Sequence, residues 1–458
     1  MIHFIREFLM VRSLLVLTVM LSVVSETRAG PLDQEMLKAA PTVLEFLKDK
    51  SVRNVGVLKF ASAEGAGKPT DVGEINRTVA DRLEMALILK TAINNPIGVI
   101  RDATAAAAKI DGASHRSATG RAKLFAEKFP LAWGDEQVRP DAFLTGVVRI
   151  QKDRSLIVSI FAYLPDEAKA LAVTNFTALP DVASLMESGG SFTTRGLFDD
   201  GKVETDPEKL KTKQAAVNKA ALEAVLKVRD EPAQHPANKD VAPVVSVKIF
   251  YDGREQKVEF RDGDAWIAEP RDGQAVSFII DHKDEKSGPL AVVLKVNGEN
   301  TIEKQRLRDP ECRKWVLQPG ENYTVKGFLM AGDQKSEAFR VLSPRESMEN
   351  EFRYGHEVGT ISWSVYRSLP QDKKVEPIYK TLAELDVEYL NRGLFPKEQQ
   401  KTLSQLRKAL DSPNPDRDRG LIAEDKKNVV DTPTQKVEFV ADPAPVLTAS
   451  VRYYKAQK

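Results

Sequence analysis

The sequence predicts an α+β multidomain protein, in which an N-terminal α/β domain of three-layer type is followed by an antiparallel β-sandwich carrying a helical insertion. Three observations predict it. Between residue 55 and about residue 229, apolar runs of strand length alternate with segments of helical period. After residue 241 the helical period gives way to short strands separated by turn residues. A polar stretch with two prolines, residues 229–240, lies between the two regimes and has the composition of a linker. The chain has 458 residues, of which 42% are hydrophobic and 29% charged, which is enough for more than one core. That balance excludes a collagen-like, wholly disordered or polytopic membrane protein.

The first segment is an export signal. Arg6 and Arg12 precede an apolar run over residues 14–24, and Thr27-Arg28-Ala29 offers small residues where a signal peptidase reads. The alternative, a retained anchor, needs an apolar helix of ~20 residues, and this run is too short. Cleavage after Ala29 removes three arginines and two glutamates and brings the net charge from +1 to zero. No basic field remains for nucleic acid. Cys312 is the one cysteine, so neither an internal disulfide nor a lipid on an N-terminal cysteine is available. The expectation is an exported protein, periplasmic or extracellular, with no stable membrane span after signal removal.

In the α/β domain, assigned to residues 30–228, the run 55–60 reads as a strand. A helix follows, with Asp71 and Glu74 spaced as a capping box and Ile75, Val79, Leu83 and Leu87 forming its apolar stripe. Residues 97–100 read as a second strand and 121–129 as a helix. The long apolar runs 142–150 and 155–164 read as a hairpin buried on both faces, and a further strand covers about 170–178. A glycine-rich loop at Gly189-Gly190 leads to a closing helix, capped by Asp206 with Pro207 in its first turn. The loop at residues 65–70 has the strand-to-helix context of a phosphate-binding loop. Ser62 and Pro69 stand where such a loop needs glycine and a hydroxyl, so its reading is a plain connection.

This order of elements, with the 55–60 strand, its following helix and the strand beginning Asp141-Ala-Phe-Leu-Thr-Gly-Val-Val148, resembles the curli-assembly and TolB N-terminal type of envelope α/β domain. The resemblance covers somewhat under half of the chain. It implies a non-catalytic envelope role: subunit assembly, docking to a partner, or control of another enzyme.

After the linker, assigned to 229–241, the sandwich occupies 242–370. Residues 244–251, the Asp252-Gly253 turn and residues 256–260 read as a hairpin. Strands are also expected at 275–280, 291–296, 315–317, 323–329, 338–342 and 360–366. Residues 371–434 read as an insertion, helical to 410 and then a charged exposed loop. Residues 435–458 end in a strand that returns to the sandwich.

No Gly-x-Ser-x-Gly elbow and no Ser-x-x-Lys pair occurs. His115, His235, His282 and His356 lack the spacing of a two-histidine metal helix and read as surface or loop residues. Asn414, Asp416 and Asp418 have calcium-loop spacing, with the turn glycine one place late at Gly420. The tripeptides at Asn76, Asn175 and Asn322 match a glycosylation acceptor. Trp266, Trp315, Tyr323, Phe328, Trp363 and Tyr366 read as core at strand spacing; among them Trp315, Tyr323 and Phe328 are the candidate ligand surface. No catalytic residue, cofactor or metal site is assigned. The expectation is an exported binding or scaffold protein with an envelope protein partner. The alternative is a secreted hydrolase acting on cell-wall or polysaccharide substrate.

Overall fold

The chain enters the structure on a helix that the sequence reading did not single out. The computed structural model describes residues 30–453 apart from 348–358, 370–420 and short stretches at 70–73, 93–94, 135, 166, 168, 199–203, 205, 262–263, 285–286, 333 and 344–345. The signal segment, Asp71 of the capping box, His356, the predicted helices of 371–410 and the calcium-spaced acids lie outside the described residues. Helix α1 (Pro31–Asp49) buries Leu32, Met36, Val43, Leu44 and Leu47. Pro31 in its first turn sits where no intrahelical donor is needed.

The remaining N-terminal elements are β1 (Asn54–Val57), β2 (Ala61–Glu64), α2 (Glu74–Lys90), β3 (Gly98–Ile100), α3 (Ala103–Ala107), α4 (Ala118–Ala126), β4 (Phe129–Pro130), β5 (Gln137–Val138), β6 (Ala142–Ile150), β7 (Leu156–Tyr163), β8 (Leu171–Ala178), α5 (Val182–Glu187), β9 (Phe192–Thr193) and α6 (Pro207–Asp230). The sheet runs β3-β1-β6-β7-β8, with β2 continuing along β6. The pairings of β1 with β3 and β6 are parallel, and those of β7 with β6 and β8 antiparallel. Strand β6 is sandwiched: Leu144 and Val148 join the core under α1 and α2, while Phe143 packs with Leu58, Ile100 and Leu124 on the side of α3 and α4. The three-layer prediction follows from this, because a strand apolar at consecutive positions needs cover on both faces.

Helix α6 is capped as expected, with the Asp206 carboxylate accepting from the Glu208 and Lys209 amides. The predicted linker is folded: Pro232–Gln234 and Lys239–Val241 each form a single helical turn, and His235 between them is buried. His235 is thus a loop residue, as expected, but a buried one; His282 is neither on the surface nor in a loop, since it ends a strand and is fully enclosed.

The β half contains β10 (Val245–Tyr251), β11 (Arg254–Glu255), β12 (Glu259–Arg261), β13 (Asp264–Trp266), β14 (Val276–His282), β15 (Leu290–Val296), β16 (Glu299–Asn300), β17 (Trp315–Leu317), β18 (Asn322–Val325), β19 (Gly327–Leu329), β20 (Lys335–Val341), β21 (Thr360–Arg367), β22 (Ile422–Asp431) and β23 (Leu447–Arg452). One sheet runs β11-β10-β14-β18 and the facing one β12-β13-β23-β21-β15-β16; a third, β19-β20-β22, adds Phe328, Phe339 and Ile422 to the same core.

Three expectations need correction. The Asp252-Gly253 turn is present with both residues at positive φ, but its second strand is the short β11; residues 259–261 cross to the other sheet instead. The sandwich is not purely antiparallel, since β13 runs parallel to β23. Residues 422–431, predicted as charged loop, form β22 against β20, because Ile422 and Ala423 bury on the core while Lys426 and Lys427 remain in solvent. Strand β23 pairs with β21 over its whole length, so the last strand lies in the sandwich.

Candidate functional site

Polar side chains collect where the two halves meet. Strand β9, from the N-terminal half, pairs with β23. Beside it, the Asp442 carboxylate accepts from the Leu197 and Phe198 amides at 2.9 and 2.8 Å and from Ala444 at 2.9 Å. Gly196, at φ +73°, makes that approach possible: a Cβ there would stand 2.8 Å from the Asp442 carboxylate.

On the N-terminal side of the junction stands Arg82 on α2, almost completely buried. Its guanidinium donates to Asp33 on α1 at 2.8 Å and forks onto both oxygens of Glu187 on α5, at 2.6 and 2.9 Å. Thr78, one turn before Arg82, donates to Glu187 at 3.1 Å. From the β half, Arg308 approaches Glu187 to 3.7 Å, and Arg77 donates to the Arg306 carbonyl at 3.2 Å. Burial raises the Asp33 carboxyl above its usual range against the pull of Arg82. At Glu187 burial acts in the same direction, but the two-toothed Arg82 contact outweighs it and the carboxyl stays below the usual range.

The next residue, Asp309, carries the network into the sandwich. Lys295 on β15, itself buried, meets Asp309 at 2.6 Å and donates to the Leu307 carbonyl at 2.8 Å, while Ser364 on β21 donates to the other Asp309 oxygen. Cys312 lies in the same pocket of side chains with Val293 and Tyr366. Burial pushes its thiol up to about 11, which disfavours the thiolate at neutral pH. Lys314 caps the cluster, donating to the Pro310 and Cys312 carbonyls at 2.7 and 2.8 Å over the ring of Tyr366.

The candidate ligand surface is divided between core and rim. Trp315 is buried, stacks on Tyr323 at 4.9 Å between centroids, and donates its indole proton to Thr301 at 2.8 Å. Phe328 is enclosed in the core edge-on to Phe339, which leaves only the Tyr323 ring of the three partly open. The loop at 65–67 turns away from phosphate chemistry: the Gly65 and Gly67 amides are spent on the Ile150 and Glu64 carbonyls, and Arg149 holds the outward carbonyls of Gly65 and Gly67. Asn76 is buried inside α2 and cannot serve as a glycosylation acceptor in the folded chain. Among the described residues no group of three His, Cys, Asp or Glu side chains is arranged to hold a metal ion, and no helix is long and apolar enough to cross a membrane.

Sequence reading missed the junction because its members are far apart in the chain. The one available signal was on α2, where Thr78 and Arg82 repeat at helical spacing beside the apolar stripe.

No family model matches this chain, and no curated protein matches it. Among solved structures the chain is similar to the LpoB C-terminal domain from Salmonella enterica, with 10% identity and a TM-score of 0.21, over 31% of this chain and 94% of that one.

Proposed function

We propose that the chain is an exported, non-catalytic binding or scaffold protein of the bacterial cell envelope, accessory to the assembly or regulation of another envelope component. The observation that carries this reading is the junction. Two buried charge clusters, Asp33–Arg82–Glu187 in the N-terminal half and Lys295–Asp309 in the β half, flank it, and the halves are joined by the β9–β23 pairing, by Asp442 on the Leu197 and Phe198 amides and by Arg308 beside Glu187. Groups held this way fix geometry; they are not poised for a substrate. Such a joint sets an α/β unit and a sandwich at a constant angle, which is what a scaffold presenting two surfaces requires. The export-type N-terminus and the resemblance of the N-terminal unit to envelope α/β domains support the same reading.

The test is affinity capture by the chain from residue 30 to 458 in an extract of its own envelope, followed by reconstitution of the captured protein from purified components. A defined partner that rebinds the purified chain supports the proposal. Failure to find one, together with turnover of cell-wall material by the purified chain, transfers the lead to a hydrolase.

A further inference from the structure

The segment that joins the two halves is built around one enclosed imidazole. Between its two single helical turns, Pro232–Gln234 and Lys239–Val241, His235 is only 2% exposed. The His235 amide donates to the Pro232 carbonyl at 3.1 Å, and the His235 carbonyl accepts from the Asn238 amide at 2.8 Å. Inside that fold the ring Nδ1 accepts from the Ala237 amide at 3.0 Å, and the ring lies against Phe260 on β12, 5.2 Å between centroids. A ring whose Nδ1 accepts is neutral, because an imidazolium has only donors. The charged side chains on the elements around it are exposed: Lys227, Arg229 and Asp230 on α6, Glu231, Lys239 and Asp240 on the segment, Glu259 and Arg261 on β12. Burial alone displaces the ring from its ordinary range, and among the described residues no carboxylate bears on it.

We propose that residues 232–241 are a latch that acid opens while both halves stay folded, with His235 as its trigger. A proton on Nδ1 turns the acceptor into a donor facing the Ala237 amide, and it puts an unpaired charge in an apolar setting beside Phe260. The ring relieves both by leaving for water. Its exit removes the bond that closes residues 235–237 and unseats Ala237, which packs on the edge of the sandwich core. The rest of the joint does not depend on the ring: β9 remains paired with β23, and Asp442 still holds the Leu197 and Phe198 amides. Two single turns with few backbone bonds lie at the low end of local stability, so they open before the sheets do. A released ring takes up its proton near 6.5 and the enclosed ring only near 4. Neutral pH therefore favours the closed latch, and the balance moves toward the open one as pH falls between those values. The latch acts whether or not the chain holds a partner, and is separate from the binding role proposed above.

The test is amide hydrogen exchange of the folded chain, residues 30–458, at pH 7.5 and 5.0, with each rate taken relative to its intrinsic rate at that pH. The comparison protein carries His235→Gln, which removes the titrating ring. Should that variant fail to fold, His235→Asn replaces it, with a side-chain oxygen close to the position of Nδ1. The expected result is that the amides of His235, Ala237 and Asn238 lose protection about 25-fold in wild type on going to the lower pH. In the variant they keep their protection, and the amides of β6 and β14 keep theirs in both proteins. Three results would each overturn the latch. Equal loss in the variant assigns the trigger to another group, loss shared by β6 and β14 makes the change a loosening of the whole chain, and unchanged protection in wild type means that the ring takes its proton in place.

Discussion

Arg82 has so little exposure that its value depends entirely on its neighbours. A guanidinium taken from water is costly, and here the loss is offset by Asp33 and by both oxygens of Glu187. Arg82→Met alone leaves two buried carboxylates facing each other, and is expected to cost about 3–5 kcal/mol in urea unfolding. Combining it with Glu187→Leu and Asp33→Leu should restore much of that loss, since no buried charge is then left alone. Recovery absent from the triple variant would mean that the cluster stabilises through more than charge pairing. His235 gives a prediction of opposite kind. Burial holds its imidazole at about 4, down from 6.5, and its Nδ1 accepts the Ala237 amide, so protonation would break that bond. The unfolded chain takes up the proton near 6.5 and the folded chain only near 4. The contribution of His235 to stability is therefore complete above the upper value and is lost as pH falls between the two. Wild type should lose about 2 kcal/mol more than His235→Gln between pH 6.5 and 5, read as the difference in urea midpoints.

The Asn297-Gly298 hairpin shows how an element can bind distant parts of the chain. Both residues lie at positive φ, the geometry of a two-residue turn matched to strand twist. The Asn297 side chain donates to the Ile422 carbonyl at 2.7 Å and accepts from the Gly359 amide and the Tyr453 hydroxyl, each at 2.8 Å. Asn297→Ala strands those groups and forces a Cβ residue without a polar side chain into the left-handed region; the expected loss is about 2–4 kcal/mol, measured by thermal or urea unfolding. Turns of this kind were readable from sequence because Asn-Gly and Asp-Gly have few other uses. The long strands β6 and β7 were readable from unbroken apolar runs, and α6 from its Asp206-Pro207 start. Elements whose reason to exist lies elsewhere in the chain were not. Strand β9 has two residues and is defined by β23. Strand β22 alternates poorly because only its first residues reach the core, and α5 is a six-residue helix whose role is to carry Glu187 to Arg82. Trp315 and Phe328 were noticed for the right property, apolar area, but at strand spacing that area went to the core.

At the scale of the molecule the question is whether the halves are separable. An ordinary linker between independent domains would allow either half to fold alone. Here β9 has its partner in β23, the Asp442 carboxylate is satisfied by Leu197 and Phe198, and Glu187 draws on Arg308, so each half completes the other. Residues 229–241 add the buried His235 with its ring 5.2 Å from that of Phe260. Deleting residues 241–458 is therefore expected to expose β9, leave the 196–198 backbone without its acceptor, and yield a chain that is rapidly digested by protease. The intact chain should unfold in one transition. Three of its four tryptophans, Trp266, Trp315 and Trp363, report on the β half, whereas among the described residues the long helices that far-ultraviolet circular dichroism reads, α1, α2 and α6, belong to the other. Coincident urea curves from the two signals are the expected outcome. Curves separated along the urea axis would mean that the β9–β23 pairing and the Asp442 and Arg308 contacts do not couple the halves, and the fixed angle on which a scaffold role depends would go with them.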